Sequence, residues 1–287
     1  MSSPDANTEV PSLDQWVPVA LDDQIRIGRD YDGGYVIPRR VVDATSILVG
    51  LGINDDWSFE EHFARLKSGL SIVGIDGSVS YTRFQRAAVD STLRVVRGVL
   101  GLRFRQARRE LTATRARWER AVGFWMFFGK RGHRFHQKYL KRHDGPNAIS
   151  WSTLMAELSI VLPAPDCRCL FVKMDIEGSE YDVLDDLLRD SGVVAGMTIE
   201  FHDCGVRWTD VRDAMSHLTK EFVVTHLHGN NCATLIPGTD VPMVIEVSLM
   251  HRSLLRGEGK SEVTSYPLAR LDMPNDPKKP DLGLFLR

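Results

Sequence analysis

Three pairs of acids and bases are the residues of this chain best suited to chemistry. They are Asp175 with Glu177, Glu200 with His202, and His226 with His228. Each pair follows or ends an apolar run that reads as a buried strand. Ligands in open α/β sheets sit outside the carboxyl ends of the strands, so these positions describe an active-site edge. Carboxylates and imidazoles there can move a proton. Asp175, Glu177, Glu200, His202 and His228 could also converge on Mg²⁺ or Mn²⁺. The reading without a metal is favoured. Glu177 can satisfy amides in its own turn, Glu200 can pair with Arg207, and one of the two strand histidines can be a satisfied core residue.

The elements that must position these groups follow from the pattern. Leu170-Phe171-Val172 opens a strand, and Tyr181, Leu184, Leu187 and Leu188 recur at helix spacing after it. Residues 25–28 and 35–38 flank a turn in which Gly33 and Gly34 supply positive φ. Core strands are expected at 46–49, 70–75, 169–174, 194–201, 222–228 and 243–250. Helices are expected from Ser58, with Ser58 and Glu61 spaced as a capping box, and over 152–162, 180–190 and 209–220. Pro163 and Pro165 break the second of these. Strands 222–228 and 243–250 lack a helix between them and should be antiparallel neighbours. Ala121–Phe128 fits either a third core strand or a helix. Alternating strands and helices imply a mostly parallel sheet covered on both faces.

A second group of residues suits a nucleoside cofactor. Gly50-Leu51-Gly52 follows the first core strand, where glycines let backbone approach a ligand and the next helix N-terminus attracts anions. Asp76, with Gly77 after it, ends the second strand and is placed to accept hydrogen bonds from ribose hydroxyls. A dinucleotide site would want a third glycine where Asp55 stands. A carboxylate there repels a pyrophosphate but tolerates the amino-acid cation of S-adenosylmethionine.

Together, Asp32-Gly33-Gly34-Tyr35-Val36, Gly50-Leu51-Gly52, Ser58-Phe59-Glu60, Lys173-Met174-Asp175-Ile176-Glu177-Gly178-Ser179-Glu180, Glu200-Phe201-His202 and His226-Leu227-His228-Gly229-Asn230-Asn231 resemble the FkbM-like methyltransferases. The resemblance covers roughly 25–80 and 145–250, plus the proline-rich tail. It implies a class I (Rossmann-like) methyltransferase sheet of about seven strands, with an antiparallel end pair. It also implies S-adenosyl-L-methionine as cofactor and O-methylation of a hydroxyl on a carbohydrate, glycolipid or natural product. Gly50, Leu51 and Gly52 would pass along the cofactor, Asp76 and Gly77 would hold its ribose side, and Asp175 would sit beside the sulfonium. Asp175, His202 and His228 are the candidate bases, with His202 favoured. Leu48-Val49 stands where the usual motif has an acid, and the Arg-rich segment has no counterpart.

That segment dominates the charge. Between Arg94 and Arg142 lie fifteen Lys/Arg and only Glu110 and Glu119, a net of +13. The whole chain is −2, so the remainder is −15. Such segregation points to an anionic partner. The readings, in order, are a solvated helical lid paired to the acidic remainder, an anionic membrane surface met with Trp118, Phe124, Trp125, Phe127 and Phe128, and nucleic acid, disfavoured because no recognised module accompanies the charge.

Residues 1–24 read as a polar tail and 25–287 as a single domain. The basic insertion occupies about 81–143 and a Pro-rich C-terminal tail about 266–287. No apolar run approaches the ~20 residues that span a bilayer. The N-terminus is unlike a secretory signal. Cys167, Cys169, Cys204 and Cys232 form no CxxC pair and read as reduced core cysteines of a cytoplasmic protein. The alternative to an enzyme is a catalytically silent methyltransferase-like module that binds glycan or membrane through 94–142.

Overall fold

The computed structural model describes residues 10–159, 162, 167–263 and 265–286. A seven-stranded sheet forms the centre. Its strands are β3 (Ile47–Leu51), β4 (Ser71–Ile75), β5 (His133–His136), β8 (Leu170–Met174), β9 (Val194–Phe201), β10 (Phe222–Gly229) and β11 (Ile245–His251). The hydrogen-bonded order is β10-β11-β9-β8-β3-β4-β5. β5, β4, β3, β8 and β9 run parallel, and β11 is antiparallel to both neighbours. This is the mostly parallel seven-stranded sheet with an antiparallel end pair expected from the sequence. Apolar runs such as Leu170–Met174 are buried throughout, as strands covered on both faces must be.

Period-two alternation divides the core into two layers. One face of the sheet packs on α5 (Trp151–Ser159), α6 (Glu180–Leu188) and α7 (Trp208–Glu221) through Leu154, Leu184, Leu187, Val211, Met215 and Leu218. The other packs on α1 (Arg39–Ala44), α2 (Ser58–Leu66) and the hairpin of β1 (Gln24–Ile27) with β2 (Tyr35–Pro38). Two minor strand pairs lie outside the central sheet, β6 (Tyr139–Lys141) with β7 (Ala148–Ser150) and β12 (Ser265–Tyr266) with β13 (Leu284–Phe285).

Register places the polar strand ends on one level. Leu51 pairs with Ile75 and with Met174, and Met174 pairs with Ile199. One residue further along lie Asp76, Gly52, Asp175 and Glu200. Glu200 pairs with Glu246, and Glu246 with His228. A single polar row therefore crosses the carboxyl edge from β4 to β10.

Of the two readings of Ala121–Phe128 the structure shows the helix, and the strand beside β4 is His133–His136, which the sequence did not mark. The insertion is a helical hairpin of α3 (Tyr81–Leu100) and α4 (Phe104–Phe128). Trp57, Phe84, Phe124, Phe128 and Phe135 form an aromatic cluster that fixes its base to the sheet. The helices approach closely where small residues face each other, at Gly98 against Ala107 and Ser91 against Thr114 (2.6 Å). At α2 no capping box forms. The Asp56 carboxylate accepts from Ser58 N and Oγ instead.

Residues 10–23 are not a loose tail, since Leu13 and Trp16 are buried and Trp16 packs on Trp208. Val19 N donates to Val224 O and Gln24 Nε2 to Thr225 O, both on β10. Pro163 and Pro165 lie outside the described residues. Of the cysteines only Cys169 and Cys204 are core residues, while Cys232 is exposed.

Candidate functional site

The first wall of the site is built from strand ends and tight backbone. Asp76 follows β4 and is held by loop donors: Oδ2 accepts from Asn54 N at 2.7 Å, and Oδ1 from Ser78 N and Oγ, each at 2.6 Å. Gly52 has φ +78°, and a Cβ there would overlap the Asp175 carbonyl oxygen. Only glycine lets the β3 loop lie this close to β8. Gly77 leaves no room for a Cβ beneath the Tyr139 ring. Gly52, Asp76, Gly77, Tyr139 and Asp175 line a cleft of about 250 Å³ with Ile75 and Ile176 as apolar surface.

The other two residues assigned to the cofactor do not line this cleft. A Cβ on Gly50 would run into the buried Glu60 carboxylate, so this glycine makes room for Glu60. Leu51 is fully buried, and its carbonyl accepts from Asp175 N at 3.1 Å.

Next to the cleft, four carboxylates surround one imidazole. His202 Nδ1 lies 2.9 Å from Glu180 Oε1. His202 Nε2 faces Glu177 Oε2 at 3.5 Å, Glu200 Oε1 at 3.7 Å and Asp175 Oδ1 at 3.9 Å. Glu180 is fully buried, and its Oε1 also accepts from Ile176 N and Gly178 N. It therefore shapes the turn after β8, a role the sequence suggested for Glu177. Glu177 instead projects outward from a left-handed backbone with φ +55°.

Glu200 is held by Asn230 Nδ2 at 2.8 Å and the Tyr35 hydroxyl at 3.3 Å. It does not meet Arg207, which pairs with Asp210 and donates to Gly178 O. Lys173, buried under the Tyr35 ring, lies 3.9 Å from Asp175 Oδ2 and donates to Gly52 O.

Burial and crowding set the protonation of this group. Burial raises the Asp175 pKa despite Lys173 and His202. Burial, with the Asp175 and Glu246 carboxylates behind it, pushes Glu200 well above the usual carboxylate range. His202 would be lowered by burial, but the Glu180 hydrogen bond and the neighbouring carboxylates bring it up to about 9. At neutral pH without a further cation, His202 is therefore an imidazolium and a donor.

His228 belongs elsewhere. Its Nδ1 meets Glu246 Oε2 at 3.0 Å and its Nε2 meets Asp281 at 3.1 Å. His226 likewise meets Asp272 at 3.1 Å. The C-terminal tail supplies both aspartates and closes this end of the polar row.

Four residues escaped the sequence reading. Glu180 was visible as the last acid of the Asp175–Glu180 block, two residues past a glycine. Tyr35 and Asn230 lie in motifs that carry the family resemblance, but nothing in the sequence marks them as partners of Glu200. Tyr139 lies near the end of the long basic insertion, where no periodicity marks it.

No family model matches the chain, and no curated protein does. The chain is similar to several solved structures. A precorrin-6y C5,15-methyltransferase from Geobacter metallireducens aligns at 9% identity and TM-score 0.33, covering 74% of this chain and 87% of that one. A Streptococcus pneumoniae protein described as a tRNA (m1A22) methyltransferase, solved with S-adenosyl-L-methionine, aligns at 10% identity and TM-score 0.33, covering 79% and 76%. A Pyrococcus horikoshii protein described as an RNA methyltransferase gives 10% and 0.33, covering 74% and 78%. At this level of likeness, any functional reading has to come from the site itself.

Proposed function

We propose that the protein is an S-adenosylmethionine-dependent methyltransferase acting on a hydroxyl. The observation that carries this reading is the cleft bounded by Gly52, Asp76 and Asp175, at the ends of three adjacent parallel strands. Asp76 keeps acceptor capacity for ribose hydroxyls. The Tyr139 ring and Ile176 offer apolar surface for a base. Asp175 carries negative charge near the place where a sulfonium would lie.

Methyl transfer is an in-line displacement, so alignment of oxygen, methyl and sulfur is the main demand. The acceptor O–CH₃ bond forms as the S–CH₃ bond breaks. The bonding pair stays on sulfur, which becomes a neutral thioether. The hydroxyl proton passes to a carboxylate, and Asp175 suits this because it lines the cleft and burial makes it more basic than a free aspartate. With no further cation in the site, His202 is protonated up to about pH 9 and orients the acceptor rather than taking its proton.

Calorimetry with S-adenosylmethionine and S-adenosylhomocysteine tests the reading. Both should bind, and binding of neither would end it. Turnover of labelled donor with a cell extract separates an enzyme from a silent module of the same fold.

The acceptor we infer is a glycan or glycolipid met at an anionic membrane surface. The α3–α4 hairpin supports this. Leu100, Leu102 and Phe104 at its tip are 78%, 76% and 60% exposed. Arg97, Arg103, Arg105, Arg108 and Arg109 surround them, and among the described residues no carboxylate pairs with these five. Of the aromatics expected at such an interface, Phe124, Phe127 and Phe128 are buried at the hairpin base, while Trp118 and Trp125 are exposed. No described helix is long and apolar enough to cross a membrane, so the contact would be peripheral. Sedimentation with phosphatidylserine vesicles should pull down the protein. Binding that survives replacement of the tip residues Leu100 and Phe104 by Ser would exclude this surface.

A further inference from the structure

We propose that Asp175, Glu200 and His202 form a binding site for one divalent cation of the Mn²⁺ type. One ligand atom from each residue lies within 4.8 Å of the other two. The carboxylate oxygens nearest His202 Nε2 are Asp175 Oδ1 and Glu200 Oε1. The histidine nitrogen stands 3.9 Å and 3.7 Å from the two oxygens, beyond hydrogen-bonding range. For bonds of about 2.1 Å to an octahedral ion, adjacent ligands stand about 3.0 Å apart and opposite ones about 4.2 Å. Both spacings to the histidine nitrogen fall between these limits, and the two carboxylates offer oxygens within 4.8 Å of each other, so side-chain rotations can complete the set.

The surroundings have the features of a metal site beyond its ligands. Metal-bound histidines hold their second ring nitrogen against a carboxylate, which fixes the ring and strengthens it as a ligand. His202 Nδ1 is held this way by Glu180, itself anchored by two backbone amides. Glu200 is fixed by Asn230 and Tyr35.

Charge points the same way. Asp175, Glu177, Glu180 and Glu200 crowd one imidazole, and Lys173 is the cation within reach of Asp175. Like charges gathered this closely call for a counter-cation. The pairings that would have explained these acids without a cation, Glu200 with Arg207 and Glu177 within its own turn, are absent among the described residues.

Two carboxylates and one imidazole suit Mn²⁺ or Mg²⁺, with the imidazole favouring Mn²⁺. Three protein ligands leave positions for water and for an oxygen of the acceptor. The exposed Glu177 stands at the mouth of the site. The site stands independently of any reaction. Its catalytic meaning rests on the methyl-transfer reading: a bound cation would lower the pKa of the acceptor hydroxyl and place it beside the cleft.

The test uses the full chain, stripped with a chelator, and Mn²⁺ alone as probe. Loss of the free-ion electron paramagnetic resonance signal should report one bound Mn²⁺ per chain. Glu200→Gln, close in shape to the native residue, should weaken binding at least tenfold, and Glu180→Gln by about ten- to a hundredfold. Circular dichroism checks that each variant is folded. No stoichiometric binding, or equal binding by folded Glu200→Gln, overturns the site. Donor binding measured in chelator separates the two readings. Donor bound with no Mn²⁺ site overturns the cation proposal alone. Mn²⁺ bound with no donor binding supports it and overturns only the methyltransferase reading.

Discussion

His202 and His228 stand at the ends of neighbouring regions of one sheet, each among carboxylates, yet their environments are opposite. His228 has both ring nitrogens within hydrogen-bonding distance of acids, Glu246 and Asp281, and is 3% exposed. His202 has one nitrogen committed to Glu180, while the other faces three carboxylates at 3.5 to 3.9 Å. A closed set of charge-assisted bonds holds the C-terminal tail to β10. An unfinished set leaves capacity for something that is not protein. Residue type does not separate the two histidines, but completeness of partnering does.

Substitutions can break or sharpen this contrast. The largest effect should come from Asp175→Ala, on the unfinished side. Transfer from labelled donor should fall about 10²–10⁴-fold, the range for a lost proton acceptor. His228→Gln should stay within tenfold of the native rate. Equal losses would erase the distinction. On the closed side the cost should be stability. His228→Ala leaves Glu246 and Asp281 without their shared partner and should lower urea stability by about 3–5 kcal/mol. Glu200→Gln should be neutral or stabilising without metal, because it removes one acid from a crowded group.

A change in pH reads the same difference. The His228 pKa would be lowered by burial, but Glu246 and Asp281 outweigh this and raise it to about 10. A raised folded pKa contributes stability that is complete below the unfolded value near 6.5. That contribution fades as pH climbs through about 10. Urea melts from pH 6 to 10 should therefore show a decline that His228→Gln flattens.

Smaller effects test the cleft and the hairpin. Asp76→Ala should weaken S-adenosylmethionine by about 1–3 kcal/mol in calorimetry, the scale of a hydrogen bond to a charged group. Arg105→Ala should cost about 1 kcal/mol in vesicle partitioning, and less at high salt.

The sheet was largely legible because its strands are short, apolar and separated by helix-period segments. Asp76 and Asp175 were legible as acids at strand ends. What stayed hidden depends on contacts between distant residues. The Glu180–His202 bond joins positions 22 apart, and Tyr35 reaches Glu200 across 165. His228 looked like a catalytic base because Asp281, which completes it, lies 53 residues away in a proline-rich stretch. Ala121–Phe128 fitted either a strand or a helix because an aromatic run packed at a helix base carries no clear period.

The outer strand β10 has a further consequence. An edge strand offers unpaired carbonyls and amides to any passing chain. Here the Val19 amide and the Gln24 side chain occupy the Val224 and Thr225 carbonyls. Leu282 and Leu284 lie against Gly229 at the strand's far end. The segment that leads into β1 thus works as a selvedge: at Val224 and Thr225 it finishes the woven border of the sheet, and a second copy finds no loose thread at these two carbonyls on which to extend it.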